Sequence, residues 1–189
     1  MTEEAAHKAR PSKAARGWRL MLSVLDPRAW LHGLKILSYY NTMNVRERRR
    51  MTVGHAPHIS PLATFANGRN ITLGNRVRIG AHCALWAGPG RGRIVLGDDC
   101  MLGPNVMITA SNYRYDEGQP VSDQAMREAD VVLGRDVWLG ASVILLPGVR
   151  LGDGCVVAAG AVVRGAFPDM SILAGNPAQM VGTREVAET

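Results

Sequence analysis

Leu133, Leu139, Leu145, Leu151, Val157 and Val163 follow one another at intervals of six residues. Four positions after each stand Val137, Val143, Val149, Cys155, Ala161 and Phe167. A period of six matches neither the 3.6-residue turn of a helix nor the two-residue alternation of a strand. It matches a chain that turns a corner every six residues, which makes a solenoid. The register continues upstream through Leu73 and Ile79, with Val77 and Cys83 four residues on, and through Leu96 and Leu102, with Cys100 and Val106. Ile59 and Ala63 form an earlier, degenerate unit. Three units make a triangular coil of about 18 residues. Each Leu, Ile or Val that a coil buries contributes roughly 1.5–3 kcal/mol, so a stack of about five coils is expected to be stable. A chain of 189 residues then reads as one domain with an appendage. Only 5% of it is aromatic, and Gly occurs 21 times, which suits layers of small aliphatic side chains.

Gly follows the lead aliphatic at Gly74, Gly80, Gly97, Gly103, Gly134, Gly140 and Gly152. A glycine at a fixed offset marks a corner that needs either a positive φ or close approach of two backbones. Cys83, Cys100 and Cys155 all fall on the inward small-residue position, where a thiol behaves as a small hydrophobe. They are too dispersed for a disulfide or metal cluster. The register breaks twice. Leu85 to Leu96 spans 11 residues instead of 6, so 5 are inserted, at Gly88-Pro89-Gly90-Arg91-Gly92. Ile108 to Leu133 spans 25 instead of 6, so 19 are inserted, within 110–130. Loops longer than about 12–15 residues are usually functional or disordered, and this one carries Tyr113-Arg114-Tyr115.

Residues 1–50 hold 11 Lys/Arg and 4 Asp/Glu, a balance of +7, while the remainder holds 11 and 12, a balance of −1. The basic character therefore belongs to the N-terminal extension. Trp18, Met21, Leu22 and Leu25 lie at i, i+3, i+4 and i+7, and Trp30, Leu34 and Leu37 make a second stripe. Asp26-Pro27 between them reads as an N-cap followed by Pro at N1. Such a basic amphipathic segment can cap the open end of the solenoid, lie on an acidic membrane or stay solvated. No nucleic-acid partner is assigned to it. The chain has no run of about 18 apolar residues and no secretory leader pattern, so a cytoplasmic location is expected, with the extension able to sit at the inner membrane face. The division expected is 1–50 basic helical extension, 51–184 repeat domain with the inserted loop 110–130, and 185–189 tail.

Three stretches carry a family resemblance: 131–149 (VVLGRDVWLGASVILLPGV), Ala159-Gly160-Ala161-Val162-Val163, and Ala174-Gly175-Asn176-Pro177-Ala178. Over about Ile59 to Arg184 the pattern resembles the hexapeptide-repeat acyltransferases, and most closely the sugar O-acetyltransferases of maltose, galactoside and exopolysaccharide type. The resemblance implies an all-β, left-handed parallel β-helix and a homotrimer. It also implies acetyl-CoA as acyl donor, lying between adjacent β-helices. No metal is expected, because a zinc enzyme of this fold needs three converging His ligands and the repeat body offers only His82. The positions that match the donor site are Trp138, Gly140, Ala141, Ala159 and Gly160, with Asn176 and Pro177 in the last motif. Members often carry Thr-Lys after the Val-Val pair. Here Arg164-Gly165 stands there, so Arg164 is a candidate phosphate contact, and Arg184 is another.

The family's catalytic histidine lies in a loop reading roughly Ser-Asn-His before an aromatic. The matching stretch here is Ser111-Asn112-Tyr113-Arg114-Tyr115-Asp116, so Tyr113 occupies the histidine position, or Asn112 after a shift of one. Acetyl transfer to a hydroxyl needs a base. A histidine, with a pKa near 6.5, suits that at neutral pH better than a tyrosine near 10. The alternatives are a different base in the inserted loop, with Asp116 or Glu117 among the candidates, His82 borrowed from an adjacent subunit, or an impaired enzyme. The expected function is acetyl-CoA-dependent O-acetylation of a sugar or polysaccharide precursor. N-acetylation of an amino sugar, which needs less help from a base, is one rival. A non-catalytic trimeric scaffold is the other.

Overall fold

The computed structural model describes residues 12–185. They divide into two units between Tyr39 and Tyr40.

The first unit consists of helices. Helix α1 (Lys13–Leu25) starts where the Ser12 side chain accepts from the Ala15 amide at 3.1 Å. Helix α2 (Pro27–Tyr40) starts as the sequence dictates, with Asp26 Oδ1 accepting from the Arg28 amide at 2.8 Å and Pro at the first helical position. Neither helix buries a residue.

The second unit is a parallel β-helix with three faces. Face 1 stacks Thr52–Val53, Ile71–Leu73, Ile94–Leu96, Val131–Leu133, Arg150–Leu151 and Ala166–Phe167. Face 2 stacks His58–Ile59, Arg78–Ile79, Met101–Leu102, Trp138–Leu139, Val156–Val157 and Ser171–Gly175, and an antiparallel strand, Ala178–Thr183, ends it. Face 3 stacks Thr64–Ala66, Ala84–Trp86, Met107–Thr109, Ile144–Leu145 and Val162–Val163. The chain visits faces 1, 2 and 3 in turn, giving five full coils and part of a sixth.

Every lead aliphatic from Leu73 to Val163 points inward and is buried, as are the residues four positions on from Val77 to Ala161, except after Leu85 and Ile108, where the insertions begin. The three thiols are part of this core and donate to carbonyls of the chain: Cys83 to Gly103, Cys100 to Gly134 and Cys155 to Pro168, each at 3.1 Å. Burial pushes the Cys100 thiol up to about 11, and raises Cys83 and Cys155 as well, so none offers a thiolate at neutral pH.

At the corners, of the two roles open to the repeated glycines, close approach is the one realised. A Cβ on Gly97 would stand 2.5 Å from the Gly134 carbonyl oxygen of the next coil. Positive φ falls two residues later instead, at Arg76, Asp99 and Asp136 between faces 1 and 2, and at His82, Asn105 and Ser142 between faces 2 and 3. Asn, Asp and His tolerate that region better than most residues because their short polar side chains bond locally.

The open end is closed by the segment after α2. Asn44 is buried and donates to the carbonyl of Ala63 at 2.6 Å, and Glu47 Oε2 accepts from the Gly68 amide at 2.7 Å. Asn44 and Glu47 thus supply a cap from within the second unit itself. Both insertions lie at one corner, between faces 3 and 1, on successive coils.

Candidate active site

The longer insertion is a β-hairpin rather than a structureless loop. Ser111–Tyr113 pairs antiparallel with Met126–Glu128, placing Asn112 opposite Arg127 and Tyr113 opposite Met126. Its tip is organised by Gln124, a buried amide that accepts from the Glu117 backbone N–H at 3.2 Å and donates to the Gln119 carbonyl at 2.6 Å.

The root of the hairpin is fastened to the shorter insertion. The Glu128 carboxylate accepts from the amides of Gly90 (2.9 Å), Arg91 (2.6 Å) and Gly92 (2.6 Å). These three amides form a concave anion-binding nest, and their bonds hold the Glu128 carboxyl below the usual carboxylate range. Asn70 steadies the nest by donating to the carbonyls of Gly88 and Gly90 at 2.9 and 3.2 Å. Asp130 adds a second tie, accepting from the Arg93 amide at 2.8 Å. Sequence reasoning missed Glu128, Asn70 and Gln124. The one visible signal was the glycine-rich run itself, whose partner lies 36–38 residues away.

A cavity of about 260 Å³ opens between the hairpin and the coil stack, lined by Asn112, Tyr113, Arg114, Tyr115, Asp116, Arg127, Ala129, Leu146, Pro147 and Arg164. It brings together four of the residues singled out from sequence: Asn112, Tyr113, Asp116 and Arg164. Tyr113 is 54% exposed. Asp116 faces Arg127 at 3.8 Å, and Arg114 is held by Glu117 at 2.6 Å. Arg164 is exposed and forms no ion pair among the described residues, so its guanidinium is available to an anionic group.

The remaining candidates lie elsewhere on the stack. Ala141, Ala159 and Gly160 line the corner between faces 2 and 3, joined by the Gly160 amide donating to the Ala141 carbonyl at 2.9 Å. Asn176 and Pro177 belong to the exposed turn after Ser171–Gly175, whose Leu173 accepts from the Ala158 amide, so they crown the same corner. Gly140 is buried beneath Ala159, and its amide donates to the Val157 carbonyl at 2.8 Å. Trp138 stands outward on face 2 at 49% exposure, in register between Met101 and Val156. His82 sits at the corner between faces 2 and 3 as well, three coils before Gly160.

The hairpin cavity and the small-residue corner thus occupy opposite edges of face 3, roughly 15 Å apart for a five-residue extended crossing. Arg184 is placed apart from both. Its guanidinium pairs with Asp136 at 2.8 Å and reaches the Gly154 carbonyl at 3.4 Å, at the corner between faces 1 and 2. Among the described residues no group of three or more His, Cys, Asp or Glu is placed to hold a metal ion, and no helix is long and apolar enough to cross a membrane.

Comparison with known proteins agrees with the repeat. Residues 130–165 match the family model of the bacterial transferase hexapeptide (six repeats), and residues 70–110 match that of the hexapeptide repeat of succinyl-transferase. A probable acetyltransferase of Mycobacterium tuberculosis is 29% identical over 94% of this chain and 59% of its own. The chain spans roughly half to three-fifths of the length of the curated relatives that head the comparison. Among solved structures, a maltose O-acetyltransferase from Clostridium difficile 630 superposes with a TM-score of 0.67 at 25% identity, covering 87% of this chain and 89% of its own. A hexapeptide-repeat acetyltransferase from Vibrio cholerae, complexed with acetyl coenzyme A, has the same TM-score at 24% identity and covers 74% and 75%. The expected left-handed β-helix is therefore the fold. With its six-residue period running through both matched segments, this chain carries the hexapeptide repeat of those transferases and is similar in fold to the hexapeptide-repeat acetyltransferases.

Proposed function

We propose that this protein moves the acetyl group of acetyl-CoA to a hydroxyl of a sugar or polysaccharide precursor, and that it does so as a homotrimer. The observation that carries the proposal is the division of the candidate residues between the two edges of face 3. Neither edge alone has the parts for acyl transfer. The corner of Ala141, Ala159, Gly160, Asn176 and Pro177 is exposed except at the half-buried Ala141, and its Ala and Gly are small, so a thin pantetheine arm can approach its backbone. The opposite edge carries the cavity, the unpaired Arg164 and the polar hairpin. In a cyclic assembly one edge of each copy meets the other edge of its neighbour. The exposed Trp138 on face 2 then gains the apolar cover that a large outward side chain calls for. The acetyltransferase names of the relatives, the maltose acceptor of one solved structure and the acetyl coenzyme A of another support the same reading.

In the reaction, the acceptor oxygen attacks the thioester carbon, the C–S bond breaks, and the acceptor proton passes to a base. The hairpin supplies that base, from Tyr113 or Asp116, because both line the cavity while His82 of the same chain stands at the far edge of face 3. Arg164 holds a phosphate of the donor. The backbone amide of Ala141 steadies the oxyanion, since that of the neighbouring Gly140 is spent on the Val157 carbonyl. N-acetylation of an amino sugar is the second reading, favoured by the tyrosine at the position where the family has histidine.

Calorimetry with CoA, followed by thiol release from acetyl-CoA over a panel of sugars and amino sugars, tests both. No CoA binding sinks them together, and turnover on amines alone selects the second. With CoA affinity unchanged, either Tyr113→Phe or Asp116→Asn is expected to lower kcat by about 10²–10⁴-fold. His82→Ala is expected to leave kcat nearly unchanged. A large loss there with the trimer intact would restore a histidine base from the neighbouring copy.

A further inference from the structure

The N-terminal helices present an apolar surface that acetyl transfer does not explain. In α1, Ala14, Trp18, Met21, Leu22 and Leu25 recur at helical spacing along one side, opposite Arg16 and Arg19. In α2, Trp30, Leu34 and Leu37 share one side, opposite Arg28, His32 and Lys35. Trp18 is 61% exposed and Trp30 64%. The Trp30 indole donates to the Val24 carbonyl at 2.6 Å, fixing one helix against the other, and a groove of about 470 Å³ lined by Val24, Ala29, Trp30, Gly33, Leu34 and Leu37 lies along them. Among residues 12–39, Lys13, Arg16, Arg19, Arg28 and Lys35 face a single acid, Asp26.

We propose that this helix pair lies on an anionic lipid bilayer, with its apolar sides at the acyl boundary and its basic sides among the headgroups. Each helix has the apolar and basic sides, the single exposed tryptophan and the modest length of an interfacial rather than a spanning segment. Charge selects this occupant over a second copy of the chain. Two copies face to face would bring ten cations together with only the two Asp26 carboxylates to offset them. An anionic headgroup layer supplies the missing negative charge, while the long Lys and Arg stems extend toward it. The proposal is independent of the acetyl-transfer reading.

The test sediments the full chain with phosphatidylcholine vesicles, with and without phosphatidylglycerol. Binding is expected only to the anionic vesicles, and added salt should weaken it. Substituting Arg16, Arg19, Arg28 and Lys35 by Gln should reduce partitioning about fivefold for each cation removed. Trp18→Ser with Leu34→Ser and Leu37→Ser should abolish it, leaving the oligomeric state in sedimentation velocity unchanged. No binding by the unsubstituted protein, or equal binding to neutral and anionic vesicles, overturns the proposal. An oligomer that dissociates in the apolar variant, without vesicle binding by the parent, assigns the surface to a second copy and overturns it too.

Discussion

Tyr113 and the corner glycines show how a residue's type and its surroundings divide the work of deciding its role. The glycines after each lead aliphatic were legible as corner residues, but the sequence left their task open between torsion and clearance. The stack resolves it, because the backbone of the following coil occupies the space a Cβ would need. Gly97→Ala is therefore expected to destabilise the fold by about 1–3 kcal/mol, seen as a lower thermal midpoint. Asp99→Gly, at a positive-φ position, should escape a torsional penalty but lose its bidentate pair with Arg76. That pair is exposed and screened by solvent, so the midpoint should shift less than for Gly97→Ala. The thiols were legible for the opposite reason: an inward slot in a solenoid leaves no room for other chemistry.

The hairpin is the element whose existence was visible and whose form was not. A break of 19 residues announces an insertion, but the antiparallel pairing of Ser111–Tyr113 with Met126–Glu128 rests on contacts that no local pattern encodes. The same holds for its fastening. An acid in one insertion and three amides in another meet only because both leave the stack at the same corner. Glu128→Ala should release the root of the hairpin, costing about 1 kcal/mol once solvent screening of this surface site is counted. Trypsin should then cut at Arg114 or Arg127 about fivefold faster, with a KM for the acceptor that rises more than kcat falls. Glu128→Gln, which keeps the shape and loses the charge, should behave nearer to Ala than to the native residue. Because the folded-state pKa of Glu128 is depressed, the latch is engaged at all pH values above the ordinary carboxylate range. It opens only as pH falls through that depressed value.

On the scale of the molecule, the coil number and the inward residues followed from one period, whereas the proposed partition of the site between two edges did not. Periodicity fixes which residues point inward, and it says nothing about which outward edge meets another copy. A shared site has a measurable signature. An Arg164→Gln chain and a Trp138→Ala chain, each expected to be inactive alone, should form mixed trimers with about a quarter of the parent activity, since one neighbour pair in four then carries both an intact Arg164 and an intact Trp138. Recovery at the level of the single variants would mean that each copy works alone. The corner between faces 1 and 2 gives the stack a set of acid-sensitive carboxylates. Asp98 and Asp153 are depressed chiefly by backbone amides of the preceding coil, at Asn75 and Arg135, and Asp99 by Arg76. Their contribution is full above about pH 4 and is lost as pH falls through their lowered values, so the thermal midpoint should hold from neutral to mild acid and drop below that. Both insertions avoid this corner and the small-residue corner, and share the third. That gives the scaffold a single site for innovation. Chain can be added at the hairpin tip while the Gly90–Gly92 nest, the small-residue corner and the winding of every coil stay as they are.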